Sequence, residues 1–171
     1  MSSESSCACG AAPKLIFACS GAADVGEIAD KAARRLTQMG QGKMFCLAGL
    51  GGRVSGIMQT TAAASAILAI DGCPLDCARK TLEEAGFHTF AHLRLTDMGM
   101  QKGKSPADEP HVDLAVAAAR ARLAAAPTLS AAATPSQPAA VACCGPTRAS
   151  ARRIIDPEAT RHRRATGVLF L

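Results

Sequence analysis

The sequence predicts an α/β domain of three layers, with a mostly parallel sheet of about four strands between two layers of helices. Two observations predict this architecture. Short apolar segments, typical of buried strands, alternate with longer helical patterns between residues 13 and 126. The chain has 171 residues, 49% of them hydrophobic, and is therefore long enough to bury a real apolar core.

The first strand and the first helix are predicted over residues 14–19 and 24–39. The strand segment is apolar after its first lysine, which indicates a buried strand. Asp24, with Glu27 three residues later, resembles a capping box at the start of the helix. Gly40 is suited to end the helix, because glycine adopts the backbone conformation that follows a last helical turn.

The same alternation continues through the middle of the chain. It predicts a second strand over residues 43–48, a glycine-rich loop over 49–53 and a second helix over 54–65. A third strand is predicted over residues 67–71 and a third helix over 74–85.

The fourth strand, predicted over residues 92–96, alternates apolar and polar residues as an edge strand does, and a last helix is predicted over 111–125. These elements together predict a Rossmann-like domain over residues 13–126. Residues 1–12 are predicted to be a disordered N-terminal segment. Residues 127–171 are predicted to be a low-complexity linker followed by an Arg-rich flexible tail.

Composition and charge argue against nucleic-acid and membrane partners. The chain has no Trp, no Tyr and five Phe, so it lacks the aromatic platforms on which single-stranded bases stack. The net charge of +5 is concentrated after residue 147, where six Arg face two acidic residues. The apolar runs are far shorter than the roughly 20 residues of a membrane-spanning helix.

Cysteines are the most informative residues. The first residues show no basic segment followed by an apolar one, so the sequence predicts a cytoplasmic protein. In a reducing compartment, grouped cysteines favour metal binding or thiol chemistry over structural disulfides. The chain has eight of them: Cys7, Cys9, Cys19, Cys46, Cys73, Cys77, Cys143 and Cys144.

The spacing of the central cysteines places them at one edge of the predicted sheet. Cys19, Cys46 and Cys73 are separated by 27 residues each time, which is about one strand-plus-helix unit. Ligands of parallel sheets collect outside the carboxyl ends of the strands. Leu47 and Ala48 are expected to continue the second strand, which would leave Cys46 one step below the edge. Cys46 is therefore either a ligand or a small buried hydrophobic residue.

Residues 71–77 carry the sharpest local signal. Pro74 suits the first position of a helix, which makes Cys73 the residue that enters it. Cys73 and Cys77 would then lie one helical turn apart. A helix amino terminus stabilises thiolates, so the pair is suited to bind metal or to perform redox chemistry.

Four segments, residues 19–26, 43–56, 70–77 and 92–99, resemble the DGC-domain family of bacterial proteins, whose name describes the motif present here as Asp71-Gly72-Cys73. The resemblance covers residues 13 to about 125. It implies zinc binding without a settled activity. The four potential chelating cysteines of the family correspond to Cys19, Cys46, Cys73 and Cys77.

The sequence thus predicts a protein that binds Zn²⁺ at the carboxyl edge of the sheet and acts in metal binding, sensing or storage. Four thiolates would close the coordination sphere, whereas three would leave a position for water or for an exchangeable metal. The alternative function is a thiol oxidoreductase without metal, in which Cys73 attacks and Cys77 or Cys19 resolves. A third interpretation is an adaptor that needs zinc only to fold.

Several polar residues near the same edge have open interpretations. The glycine-rich loop, with Gly49 and Arg53, could bind a small anion or could be a tight turn that requires positive φ. Asp71 and Asp97 end strands, and they could support the cysteines or cap helix amides.

Other residues are predicted to lie away from the metal site. His88 and His92 lie before and at the beginning of the fourth strand, at the far edge of the sheet, so neither is expected to be a ligand. The terminal cysteines, in Cys7-Ala-Cys9 and Cys143-Cys144, could capture a soft metal or be incidental.

Overall fold

The computed structural model describes residues 12 to 129, and in it four parallel strands form one sheet in the order β2-β1-β3-β4. The strands are β1 (Lys14–Ala18), β2 (Lys43–Met44), β3 (Ala66–Asp71) and β4 (Ala91–Arg94). The α-helices are α1 (Asp24–Gln38), α2 (Leu47–Gly51), α3 (Ser55–Ala62), α4 (Cys77–Glu84) and α5 (Glu109–Ala124). The predicted α/β class is therefore confirmed. The predictions for residues 1–11 and 130–171 lie outside the described residues.

Helices cover both faces of the sheet. Successive strand residues point to opposite sides, so each buried strand supplies apolar side chains to both faces. On one face, Ile16 and Leu68 pack with residues of α1 and α5. On the other face, Leu15 and Ile67 pack with residues of α2 and α4, and α3 adds partly buried side chains. Every residue of β3 is buried, as expected for a central strand covered on both faces.

The end of α1 confirms the prediction for Gly40. Gly40 has a φ of +68°, and its amide donates to the carbonyl of Thr37 at 3.0 Å. The amide of Gln41 donates to the carbonyl of Leu36 at 3.0 Å. These two bonds form a Schellman motif, which satisfies the last carbonyls of the helix.

The predicted capping box at the start of α1 is wrong. The N-cap residue is Ala23, and no side chain caps the helix there. The Asp24 carboxylate instead accepts hydrogen bonds from the amides of Val25, Gly103 and Ser105, at 2.8, 2.9 and 3.1 Å. Asp24 therefore ties the segment between β4 and α5 to the first turn of α1.

The second crossover also differs from the prediction. β2 ends at Met44, and Cys46 is the N-cap of α2, so Leu47 and Ala48 are helical rather than extended. The predicted loop and single helix are two short helices, α2 and α3. The helical conformation of α2 allows Leu50, at 0% exposure, to pack in the core with residues of the sheet and α4.

The strand order defines a crevice at the carboxyl edge of the sheet. From β1 the chain moves to β2 on one side, and from β2 it crosses to β3 on the other side of β1. The strand order therefore reverses between β1 and β3. Ligands of open α/β sheets bind at such a reversal, outside the carboxyl ends of the two strands.

The longest described helix, α5, has 16 residues and begins at an N-cap, Asp108, whose side chain accepts from the amide of His111. Among the helices of residues 12 to 129, none has both the length and the apolar character needed to cross a membrane.

Candidate metal centre

Four free cysteines lie in segments that leave the carboxyl ends of β1, β2 and β3. Cys19 follows β1 directly, and Cys46 lies two residues after β2. Cys73 lies two residues after β3, and Cys77 is the first residue of α4. Cys46 and Cys77 are exposed, whereas Cys19 and Cys73 are partly buried. The placement of Cys46 one step below the edge is wrong, because β2 ends before it.

Cys19 lies at the end of β1, at the point where the strand order reverses. The amide of Gly72 donates to its Sγ at 2.9 Å. Burial raises the pKa of Cys19 to about 12, against the opposing effect of the Gly72 amide. The carboxylate of Asp71 and the nearby thiol of Cys77 raise this pKa further. Cys19 is therefore a protonated thiol in contact with residues of the segment that follows β3.

Gly72 has a clear physical reason to be glycine. A Cβ atom at this position would lie 2.7 Å from both the carbonyl carbon and the carbonyl oxygen of Val25. The backbone after β3 therefore passes directly against the first turn of α1. This close approach brings the Gly72 amide within hydrogen-bond distance of Cys19.

Asp71 caps α4, which resolves one of the open interpretations. The residue is fully buried, and its carboxylate accepts from the amides of Ala78 at 2.8 Å and Arg79 at 3.0 Å. The predicted start of the helix at Pro74 is wrong, because α4 begins at Cys77. Cys73 is therefore not the entry residue of the helix, and the two thiols do not stack along it.

His92 is a functional candidate that the sequence analysis missed. It lies within β4, opposite Ala69 of β3. Its Nε2 atom is 3.0 Å from Oδ2 of Asp71 and 3.8 Å from Oδ1 of Asp76. The alternation of His92 and Arg94 in an edge strand was the available signal, since residues two apart share one face.

Among residues 12 to 129, one group of three or more potential ligand side chains has its ligand atoms within 4.8 Å of one another, namely Asp71, Asp76 and His92. Its oxygens already have partners. Arg94 donates to both oxygens of Asp76, and two helix amides donate to Asp71. A cation would have to displace these donors, so the group is better described as a hydrogen-bonded network beside the thiols.

The cysteine sulfurs are not grouped as closely as the ligand atoms of Asp71, Asp76 and His92. No three of the four described ones lie within 4.8 Å of one another. Two thiolates on a tetrahedral zinc ion are roughly 3.8 Å apart, given a Zn–S distance near 2.3 Å. The donor type fits zinc, and Cys46 and Cys77 are exposed at the beginnings of helices. Closure around a metal would therefore require the sulfurs to move closer together.

The segment predicted as an anion-binding loop is largely helical. Residues 49–51 belong to α2, and Arg53 is the residue that adopts positive φ, at 55°. The Arg53 guanidinium donates to the backbone carbonyl of Glu84. Asp97 is exposed and pairs with Arg94 at 3.3 Å. Anion binding by Gly49 and Arg53 stays a prediction.

Comparison with known proteins identifies the family of the chain. No solved structure matches it. Residues 15–119 match the model of the DGC domain. The anaerobic and virulence modulator AnvM of Pseudomonas aeruginosa is 36% identical over 88 residues, which cover 52% of this chain and 67% of that protein. The chain belongs to the DGC-domain family.

Proposed function

We propose that the protein binds one Zn²⁺ ion through Cys19, Cys46, Cys73 and Cys77 and acts in metal binding, sensing or storage. The observation that carries the proposal is the location of four free thiols in segments that leave the carboxyl edge of the sheet, around the point where the strand order reverses. Sulfur ligands of this number suit zinc, which takes four thiolates in closed sites.

The surroundings of Cys19 support a site in which a metal ion and a proton compete for the same sulfur. The pKa of about 12 means that the thiol is protonated near neutral pH. A bound cation would supply the positive charge that stabilises the thiolate in this partly buried position. The Gly72 amide, which already donates to Sγ, would continue to stabilise the sulfur after its proton leaves. Metal binding should therefore release protons.

The different exposure of the four thiols suggests how the site is filled. Cys19 and Cys73 form a partly buried half, and Cys46 and Cys77 form an exposed half. Binding of all four would give a closed structural, storage or sensing site. If Cys46 stayed outside the site, the three remaining thiolates would leave one open position.

The name of AnvM describes a modulator of anaerobic and virulence functions in Pseudomonas aeruginosa. A metal-sensing role for this chain is compatible with such a relative. The proposal places this chain in a reducing compartment such as the cytoplasm, because thiols remain free there.

Elemental analysis tests the proposal. The full chain, purified under reducing and chelator-free conditions, should contain about one zinc ion. Cys19→Ser and Cys73→Ser should each lose it. A matched variant with serine at Cys7, Cys9, Cys143 and Cys144 should keep it, which separates the central site from the terminal thiols.

The opposite result would favour the thiol oxidoreductase. Stably folded, metal-free protein with a Cys73–Cys77 disulfide would contradict the proposal, because both sulfurs would then be bonded to each other. Mass spectrometry before and after reduction detects this disulfide.

A further inference from the structure

The backbone between Cys73 and Cys77 is held in an uncommon conformation at Asp76. This residue has a φ of +51°, in the left-handed region that non-glycine residues rarely adopt. Its amide donates to the carbonyl of Cys73 at 3.1 Å, which closes a turn. Its carbonyl accepts from the amide of Lys80 at 2.8 Å, which begins α4. Asp76 therefore joins the turn after one thiol to the helix that carries the next.

A neighbouring strand holds the side chain of Asp76 in place. Arg94 of β4 donates from Nε to Oδ1 at 2.8 Å and from its Nη2 to Oδ2 at 2.6 Å. Asp76 is 7% exposed, and such a bidentate pair fixes orientation as well as distance.

Asp71 and His92 add a second attachment to the same segment. Asp71 holds the first amides of α4, and His92 bridges towards Asp76 from β4. β4 itself contributes no cysteine to the proposed site. Its polar side chains instead contact the segment that carries two of the four thiols.

We propose that the Asp76–Arg94 ion pair is a positioning device for Cys73 and Cys77. The inference rests on the proposed zinc site and assigns a role to β4 in it. Without the pair, Asp76 would lose the contact that offsets its left-handed conformation, and the separation of the two sulfurs would become variable. A preorganised site would become a flexible one, and zinc affinity would fall.

Zinc affinity and cobalt spectra of the full chain test the inference. Dissociation constants come from competition with a chromophoric chelator, for the wild type, Arg94→Gln, Asp76→Asn and the double variant. Asparagine tolerates the left-handed conformation but removes the charge. Arg79→Gln is the matched control, because it removes an exposed arginine paired with Glu83 on α4 itself.

We expect each single variant to bind zinc about 10- to 100-fold more weakly, which is the usual effect of losing a supporting contact at a metal site. The double variant should resemble the single ones, because both remove the same pair. Arg94→Lys should recover part of the affinity. The Co²⁺ absorption bands should shift in Arg94→Gln and stay unchanged in Arg79→Gln.

Two results would overturn the inference, and they differ from each other. If the wild type binds zinc and Arg94→Gln and Asp76→Asn bind it equally well with the same Co²⁺ spectrum, the positioning role is wrong and the zinc site stands. If the wild type binds no zinc, the proposed function and the inference both fail. Circular dichroism confirms that each variant is folded, and Arg94→Lys provides a milder change if Arg94→Gln is not.

Discussion

At Cys19, burial of the thiol and the hydrogen bond from Gly72 act on the pKa in opposite directions, and burial has the larger effect. The thiol of this residue is consequently poorly suited to react as a free nucleophile near neutral pH. In the proposed site, a bound metal ion would deprotonate this thiol without a rise in pH, which would link proton release to metal binding.

Alkylation of the metal-free protein should follow this difference. At about pH 8, iodoacetamide should modify Cys46 at least about tenfold faster than Cys19, because Cys46 is exposed whereas burial keeps the Cys19 thiol protonated. Raising the pH to about 10 should still leave Cys19 mostly unmodified, because its pKa is about 12. Peptide mass spectrometry measures each site. Equal rates at Cys19 and Cys46 would contradict the burial of the thiol.

Asp24 gives a second test, this time of stability against pH. The amide of Gly103, followed by that of Val25, holds the pKa of Asp24 below its usual 3.8. A depressed folded-state pKa stabilises the protein above the unfolded-state value, and this contribution disappears as pH falls through the folded-state value. Asp24→Asn should therefore melt at a lower temperature than the wild type at about pH 7.

The two melting temperatures should converge as the pH falls through the folded-state pKa, which lies below 3.8, because the wild-type carboxylate becomes protonated there. Glu84→Gln, which removes a carboxylate from an exposed residue, is the control and should show no such pH dependence. A melting difference for Asp24→Asn that is the same at both pH values would contradict a role for the charge.

At the scale of elements, the close approach of the backbone after β3 to the start of α1 fixes the geometry of the edge. Gly72→Ala should lower the free energy of unfolding by about 1–3 kcal/mol, because the added methyl group would meet the backbone of Val25. Urea denaturation measures the change.

The matched substitution is Gly56→Ala in α3, where an added Cβ meets nothing within 4 Å. There alanine should be neutral or stabilise the protein by up to about 1 kcal/mol. If Gly72→Ala were as stable as Gly56→Ala, the two segments would not be in contact as described.

The elements also show what local sequence can and cannot predict. Gly40 was correctly predicted to end α1, since the signal for a Schellman motif lies within a few neighbouring residues. The start of α4 was predicted wrongly because it depends on how the buried carboxylate of Asp71 reaches the amides of Ala78 and Arg79, which the residue pattern does not reveal. The apolar residues around Cys46 resemble a strand, but Cys46 caps a helix there and Leu50 of that helix is buried in the core.

At the scale of the molecule, the parallel arrangement of the strands explains why the cysteines could be placed at one edge from the sequence alone. In a parallel sheet every strand ends at the same edge, so the repeated spacing of 27 residues was sufficient. The position of His92 was not predictable in this way, because it depends on the pairing of β4 with β3.

Zinc should stabilise the whole domain, because its ligands would come from segments after three different strands. At a free zinc concentration about a hundredfold above the dissociation constant, the gain should be about 2.7 kcal/mol. Differential scanning calorimetry should show a higher melting temperature for the wild type. The variant with serine at Cys19, Cys46, Cys73 and Cys77 should show no increase. An equal increase in both proteins would place the binding elsewhere.

Cys46, besides being a proposed metal ligand, is the N-cap of α2. Its sulfur accepts from the amide of Gly49 at 3.3 Å and so begins the five-residue helix α2. If the Cys46 side chain turned away from Gly49, the Gly49 amide would lose its partner. The first turn of α2 would then loosen, because a helix of this length is not stable by itself. Faster hydrogen exchange at the Gly49 amide would then indicate that the Cys46 sulfur has changed partner, and the change would extend to the exposed side of α2.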